Sequence, residues 1–245
     1  MLILAADTST RSASVALVRD GEVLGETTLS LGRAHSTTFL PALEELMRRC
    51  GFTHADLDAY ACTVGPGSYT GIRIGLATLQ MMAYAAGKPI YGVSTLDALA
   101  LLLQVSSALL VCPMLDARSG RVFASALDGA GASDSGRRVE EGNRKADDFA
   151  AALAAAVSAP SSSIASIVLC GDGASIHADA IRTCLPGIDV SVARGALRNP
   201  LASSAALIAA RRATAGDPGD PASLSASYLS PSQAEREADA REKKP

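Results

Sequence analysis

Leu2-Ile3-Leu4-Ala5-Ala6-Asp7-Thr8-Ser9-Thr10 is an apolar run that ends on a carboxylate and a turn of small hydroxylic residues. Ser12–Arg19 follows, with Val15 and Leu17 alternating against small or polar residues, and Asp20-Gly21 is a strong two-residue hairpin signal before Glu22–Leu29. The chain therefore opens as a three-stranded meander. About a hundred residues later the pattern returns. Leu109–Leu115 is apolar and ends at Asp116, Ala117–Gly120 is a turn, Arg121–Leu127 is a strand, and Asp128-Gly129 is a second hairpin signal. A strand–Asp–turn–strand–Asp-Gly unit met twice predicts two related α/β halves.

The segments between these units read as helix and strand in alternation. Ser36–Cys50 carries Phe39, Leu40, Leu43, Leu46, Met47 and Cys50 on one face, with Ser36 as a cap or Pro41 as the first turn, and Gly51 as its terminator. Leu57–Val64 is a strand, Gly65–Gly71 a loop, Gly71–Ala86 a helix, and Pro89–Val93 a buried strand. Thr95–Leu103 begins another helix. In the second half, Gly129–Asp147 is rich in Gly, Ser and charge and reads as a mobile connection. Asp148–Val157 is a helix, Ile164–Cys170 a strand, Gly171-Asp172-Gly173 leads a helix to Cys184, and Leu201–Ala215 is a last helix. The expected division is 1–104, 105–230, and a charged tail at 231–245 in which Ala234–Pro245 has no apolar face.

Composition narrows the function classes. The chain has 245 residues and is 48% hydrophobic, but only 4% aromatic with no Trp, so the core must be built from Ala, Leu, Val and Ile. A net charge of −3 argues against unaided grip on nucleic acid. Cys50, Cys62, Cys112, Cys170 and Cys184 are odd in number and lack C-x-x-C spacing, so they are expected as buried apolar residues in a reducing compartment. The apolar start is short and interrupted by Asp7, unlike a signal peptide. Ala98–Leu115 is uncharged and long enough to span a membrane, but Gln104, Ser106, Ser107 and Pro113 break it into helix and strand. The chain reads as cytoplasmic.

Two stretches could carry chemistry. In Asp7-Thr8-Ser9-Thr10, N–H groups and hydroxyls can hold phosphate oxygens while the Asp orients a hydrated cation. The same residues also make an ordinary Asx turn. Gly65-Pro66-Gly67-Ser68-Tyr69-Thr70-Gly71, with Gly75 a turn further, follows a strand and opens a helix. Its spacing is one residue too long for a dinucleotide fingerprint, it lacks Gly-Lys-Ser/Thr, and Pro66 spoils a nucleophile elbow. The helix it opens, with Ala77, Leu79, Met81, Met82, Ala83 and Ala86, is apolar nearly all round. It must be covered either by its own domain or by another subunit. His35, His54 and His177 are not paired at helical spacing, so no metal site is expected.

Leu2–Thr10, Arg33–Pro41, Val64–Leu76, Tyr91–Leu99 and Tyr228–Glu235 resemble the bacterial TsaB family. The resemblance implies the two-lobed actin-like ATPase (ribonuclease H-like) fold, each lobe a mixed sheet flanked by helices. It also implies a non-catalytic partner of the paralogous enzyme TsaD, working with the ATPase TsaE. Together these place a threonylcarbamoyl group on the adenosine beside the tRNA anticodon. The family pairs with TsaD, or with itself when alone, through helices matching Ser36–Cys50 and Gly71–Ala86. The implied interface is Phe39, Leu43, Met47, Gly71, Gly75, Leu79, Met82 and Ala86, and tRNA is reached only through the complex. Thr95 and Leu99 stand where TsaD-like enzymes carry two metal-binding histidines, and neither substitutes for imidazole. The second phosphate turn, Asp116–Gly120, has one Gly and a bulky Arg118. Asp7, Thr8, Ser9, Thr10 and Asp116 are therefore expected as vestiges of a phosphate site, with no catalytic residue, cofactor or metal. An active ATP-dependent phosphotransferase of the same fold, with Asp7 and Asp116 on the metal, is the alternative.

Overall fold

A computed structural model describes residues 1–30, 35–129, 136–159 and 162–230. The first half runs β1 (Leu2–Asp7), β2 (Ala13–Arg19), β3 (Glu22–Leu29), α1 (His35–Cys50), β4 (Ala59–Gly65), α2 (Tyr69–Ala86), β5 (Ile90–Ser94) and α3 (Thr95–Ala100). The second runs β6 (Leu109–Asp116), β7 (Arg121–Asp128), β8 (Arg137–Lys145), α4 (Ala146–Val157), β9 (Ser166–Cys170), α5 (Asp172–Cys184), β10 (Asp189–Val192) and α6 (Ala202–Thr214). The sheet orders β3-β2-β1-β4-β5 and β10-β9-β6-β7-β8 are one topology met twice: an antiparallel meander, then two parallel strands. This is the doubled architecture of the actin-like ATPase fold.

Strand alternation puts each sheet between two helical layers. Leu2, Leu4 and Ala6 face α1 and α2, while Ile3 and Ala5 face Ala202, Ala206 and Ala209 of α6. In the second sheet Leu110, Cys112 and Met114 face Phe149 and Leu153 of α4 and Ile181 of α5. Val111 and Leu115 face Leu96, Leu99 and Ala100 of α3. The last helix of each half thus packs on the other half's sheet. By packing, α6 and the segment after it go with the first sheet and α3 with the second, whereas a cut at 104 and 230 follows chain order alone.

Local chemistry explains most boundaries. Asp20 and Gly21 both have positive φ, 52° and 86°, as the predicted hairpin turn requires. Ser68 caps α2 by accepting from Gly71 N, and Gly87 ends it in the left-handed region at φ 63°. Pro41 lies inside α1 instead of opening it.

One segment departs from expectation, and two carry no sequence reading. Within the expected mobile connection, Arg137–Lys145 forms the edge strand β8, paired antiparallel to β7. It reads as a loop because an edge strand can be polar on both faces, and only Val139 joins the core. The four residues of β10 are too few to show a period. Residues 217–230 form a strap over the first lobe: Ile90 N donates to Gly219 O at 2.8 Å, Ser227 N donates to Val64 O at 2.7 Å, and Tyr228 stacks on Tyr69 at 4.7 Å. The tail at 231–245 lies outside the described residues.

Cys62, Cys112 and Cys170 are buried as expected; Cys50 is half-buried and Cys184 exposed. Burial, with Asp7 beside it, pushes the Cys62 thiol up to about 12, so it stays a neutral core group. Among the described residues, no helix is long and apolar enough to cross a membrane.

Candidate functional site

The two stretches singled out in the sequence form one buried assembly. Asp7 closes β1, and Asp7, Thr8 and Ser9 are each only 1% exposed. Asp7 Oδ2 accepts from Ser9 Oγ at 2.7 Å and from Thr63 Oγ1 on β4 at 2.5 Å. Thr8 Oγ1 donates to Gly71 O at 2.7 Å. Ser68 N, at the mouth of α2, donates to Ser9 O at 2.6 Å. The hydroxyls of Thr8 and Ser9 are used inside the protein, and the glycine loop is bonded onto the Ser9 carbonyl.

The glycines are spaced for this contact. A Cβ on Gly67 would sit 2.3 Å from Ser9 O, and one on Gly75 2.4 Å from Thr8 Oγ1. Gly75 therefore seats α2 against its own turn instead of facing a partner.

The second turn differs. Asp116, at the end of β6, is exposed; its Oδ1 accepts from Arg118 N at 2.8 Å. Its own N–H is held by Asp172 Oδ1 at 2.9 Å, from the first turn of α5. Arg118, Ser119 and Gly120 all have positive φ. In this turn the N–H groups of Asp116 and Arg118 are thus engaged by carboxylates of this chain. Thr63 and Asp172 were not visible as participants in the sequence. The one available signal is a hydroxyl near the end of β4 and a carboxylate at the start of α5, and both contacts span 56 residues.

Thr95 and Leu99 are both buried, Leu99 within the α3 layer. Among the described residues no group of three His, Cys, Asp or Glu could hold a metal ion.

The expected interface residues separate by burial. Phe39, Leu43, Met47 and Leu79 are core side chains under the first sheet, and Gly71 and Gly75 are buried as well. They cannot be the atoms that a partner touches. Met82 is half-buried and Ala86 exposed. The outer face of α2 is instead Ala77, Met81, Tyr84 and Ala85, a run at i, i+4, i+7 and i+8. Met81 is 65% and Tyr84 71% exposed. The helix is apolar all round because one face fills its lobe and the other remains open.

Between the lobes, Ser94 Oγ donates to Glu141 Oε2 at 2.5 Å, and beside this bond Arg137 Nη2 pairs with Asp97 Oδ1 of α3 at 2.8 Å. Burial pushes the Glu141 carboxyl above its ordinary value, with the Ser94 bond opposing. A carboxyl raised by folding favours the folded state while protonated and loses that contribution as pH rises through its folded value. Glu141→Gln should therefore gain stability relative to the natural chain as pH rises from about 4 to about 7. Urea midpoints measured across that range check this, and a constant difference would contradict it.

The profile of the family described as "TsaD: tRNA N6-adenosine threonylcarbamoyltransferase" matches residues 22–213, more than half of the chain. The chain belongs to this family. Within it the chain is of the TsaB type. It is 37% identical over 123 residues to the tRNA threonylcarbamoyladenosine biosynthesis protein TsaB of Bacillus subtilis (strain 168), covering 50% of this chain and 53% of that one. It is 40% identical over 124 residues to TsaB of Escherichia coli (strain K12), with the same coverage. The chain spans about half the length of the curated relatives it matches. In three dimensions the TsaB-type chain is similar to YeaZ from Pseudomonas aeruginosa, with TM-score 0.72 and 24% identity over 93% of this chain and 99% of that one. That likeness extends the shared fold over both lobes.

Proposed function

We propose that this TsaB-type chain is a non-catalytic subunit that binds and supports a TsaD-like threonylcarbamoyltransferase in tRNA modification, together with a TsaE-like ATPase. The observation that carries the non-catalytic part is the closed first turn, in which Thr63 and Ser9 hold Asp7 and the Gly65–Ser68 loop covers Ser9. The open stripe Ala77-Met81-Tyr84-Ala85 supports the partner part, since an apolar helix face of this kind asks for a second helix layer. In the absence of the paralogue, a second copy of the chain would use the same stripe. tRNA is reached through the assembly, in keeping with the net charge of −3. The reaction takes place in the cytoplasm.

The alternative, an ATP-dependent phosphotransferase, has one observation in its favour: Asp116 is exposed beside a turn of three left-handed residues. Calorimetric titration with Mg-ATP separates the two readings. The subunit reading predicts no binding heat in the natural chain and no change in Asp7→Asn. Micromolar binding that Asp7→Asn abolishes would establish the enzyme instead.

A further inference from the structure

Strand β8 carries two irregularities in its pairing with β7. Ala124 faces Gly142 and Ala126 faces Val139, and then Leu127 faces Arg137, so β8 holds extra residues at two steps. Such bulges re-aim side chains off the regular pleat. Here they leave Val139 in the second lobe's core while Arg137, Glu141 and Asn143 make bonds to elements outside that sheet.

These bonds reach three separate elements. Glu141 Oε2 accepts from Ser94 Oγ at the end of β5, a first-sheet strand whose Ser94 pairs with Gly65. Arg137 holds Asp97 of α3 at 2.8 Å, a pair largely out of solvent. Asn143 Nδ2 donates to Ser230 Oγ at the end of the strap. Asn143 is itself fixed, because Arg121 Nε donates to its Oδ1 and Arg121 Nη2 to its carbonyl, both at 2.8 Å. The amide is thereby turned with its NH₂ toward Ser230.

The layer beneath these bonds is apolar. Where α3 meets α6 the buried contact is Val93, Ala98 and Ala205 with Ile208 at its margin. The buried hydroxyls of Thr95 and Ser204, on the same two helices, make no hydrogen bond across it. Packed helices can slide over one another when domains shear. Neither hydroxyl links the layer, so the polar links between the lobes are the bonds at its edge.

We infer that β8 is a built-in lock that holds the two lobes at one fixed angle through Glu141–Ser94 and Asn143–Ser230, with Arg137–Asp97 anchoring α3 beneath it. The two lobes are thereby one rigid body, and the angle between them does not respond to nucleotide.

Dipolar distance measurements between spin labels at two exposed sites, Glu44 on α1 and Asp179 on α5, test this. The natural chain should give one narrow distance, the same with and without Mg-ATP. Glu141→Ala with Asn143→Ala should broaden the distribution and add longer distances, whereas Glu141→Gln, which can still pair with Ser94, should keep it narrow. If the double variant loses its folded circular dichroism, Ser94→Ala with Ser230→Ala removes the same links from the other side and must broaden the distribution in its place. A broad distribution in the natural chain, or a narrow one in a folded chain lacking both links, overturns the lock.

Discussion

Asp at both Met81 and Tyr84 should abolish co-elution with a TsaD-like partner while leaving the melting temperature of the free protein unchanged. Both side chains are mostly in solvent, so the lobe does not depend on them, and surface substitutions of this kind cost within about 0.5 kcal/mol. In a complex they would become buried anchors. Losing two such anchors, with a carboxylate buried in place of each, amounts to about 4 kcal/mol or more, a loss of at least roughly a thousandfold in affinity. Leu79→Asp is the instructive contrast. Leu79 lies on the same helix but is fully buried, so that change should unfold the lobe and reveal nothing about docking. Gly75 is unsuitable as a probe for the same reason, since any side chain there meets Thr8. Analytical size exclusion of mixed proteins, with a thermal melt of each variant alone, gives the answer. Undiminished co-elution of a folded double variant would place the partner surface elsewhere.

Gly67→Ala should cost about 3 kcal/mol or more, combining a backbone conformation hostile to side chains with a collision that neither partner can relieve. The φ of Gly67 is +154°, and the atom its Cβ would meet is the Ser9 carbonyl oxygen, which is backbone and already bonded to Ser68 N. For a chain of this length the loss corresponds to a melting temperature lower by roughly 10 °C. Gly87 is the control. It also has positive φ, at 63°, but nothing lies within 4 Å of its Cβ, so Gly87→Ala should cost only about 1 kcal/mol. Equal losses at the two positions would mean that the glycine loop does not press on the Asp7–Thr10 turn as described.

Where the sequence was legible, the reason was local. Asp20-Gly21 can be read as a hairpin because two successive positive φ values restrict which residues serve. The repeated apolar run ending in Asp made the doubled sheet visible before any contact was known. The apolar faces of Ser36–Cys50 and Gly71–Ala86 were visible too, but periodicity does not say what covers a face. For Phe39, Leu43, Met47 and Leu79 the cover is the protein's own first sheet. What stayed hidden depends on distant pairings. Thr63 looks like one more residue of an apolar strand until β4 is laid beside β1, and Asp172 looks like a helix-start acid until α5 meets Asp116. Strand β8 has the composition of a linker, and the 217–230 strap has no period at all because backbone bonds and single anchors such as Leu224 and Tyr228 hold it.

On the proposed function, this chain contributes a surface and a rigid body, not a nucleotide site, to the modification of tRNA. The most direct measurement is reconstitution with the cognate TsaD-like enzyme, the TsaE-like ATPase and an unmodified tRNA, with this chain supplied intact, as Asp7→Asn, as the Met81 and Tyr84 double variant, or left out. Threonylcarbamoyladenosine formation should be supported by the intact chain and by Asp7→Asn, and should be lost when the chain is absent or its α2 stripe is charged. Full modification without the chain, or loss of modification in a folded Asp7→Asn variant that still binds its partner, would rule out a non-catalytic supporting role.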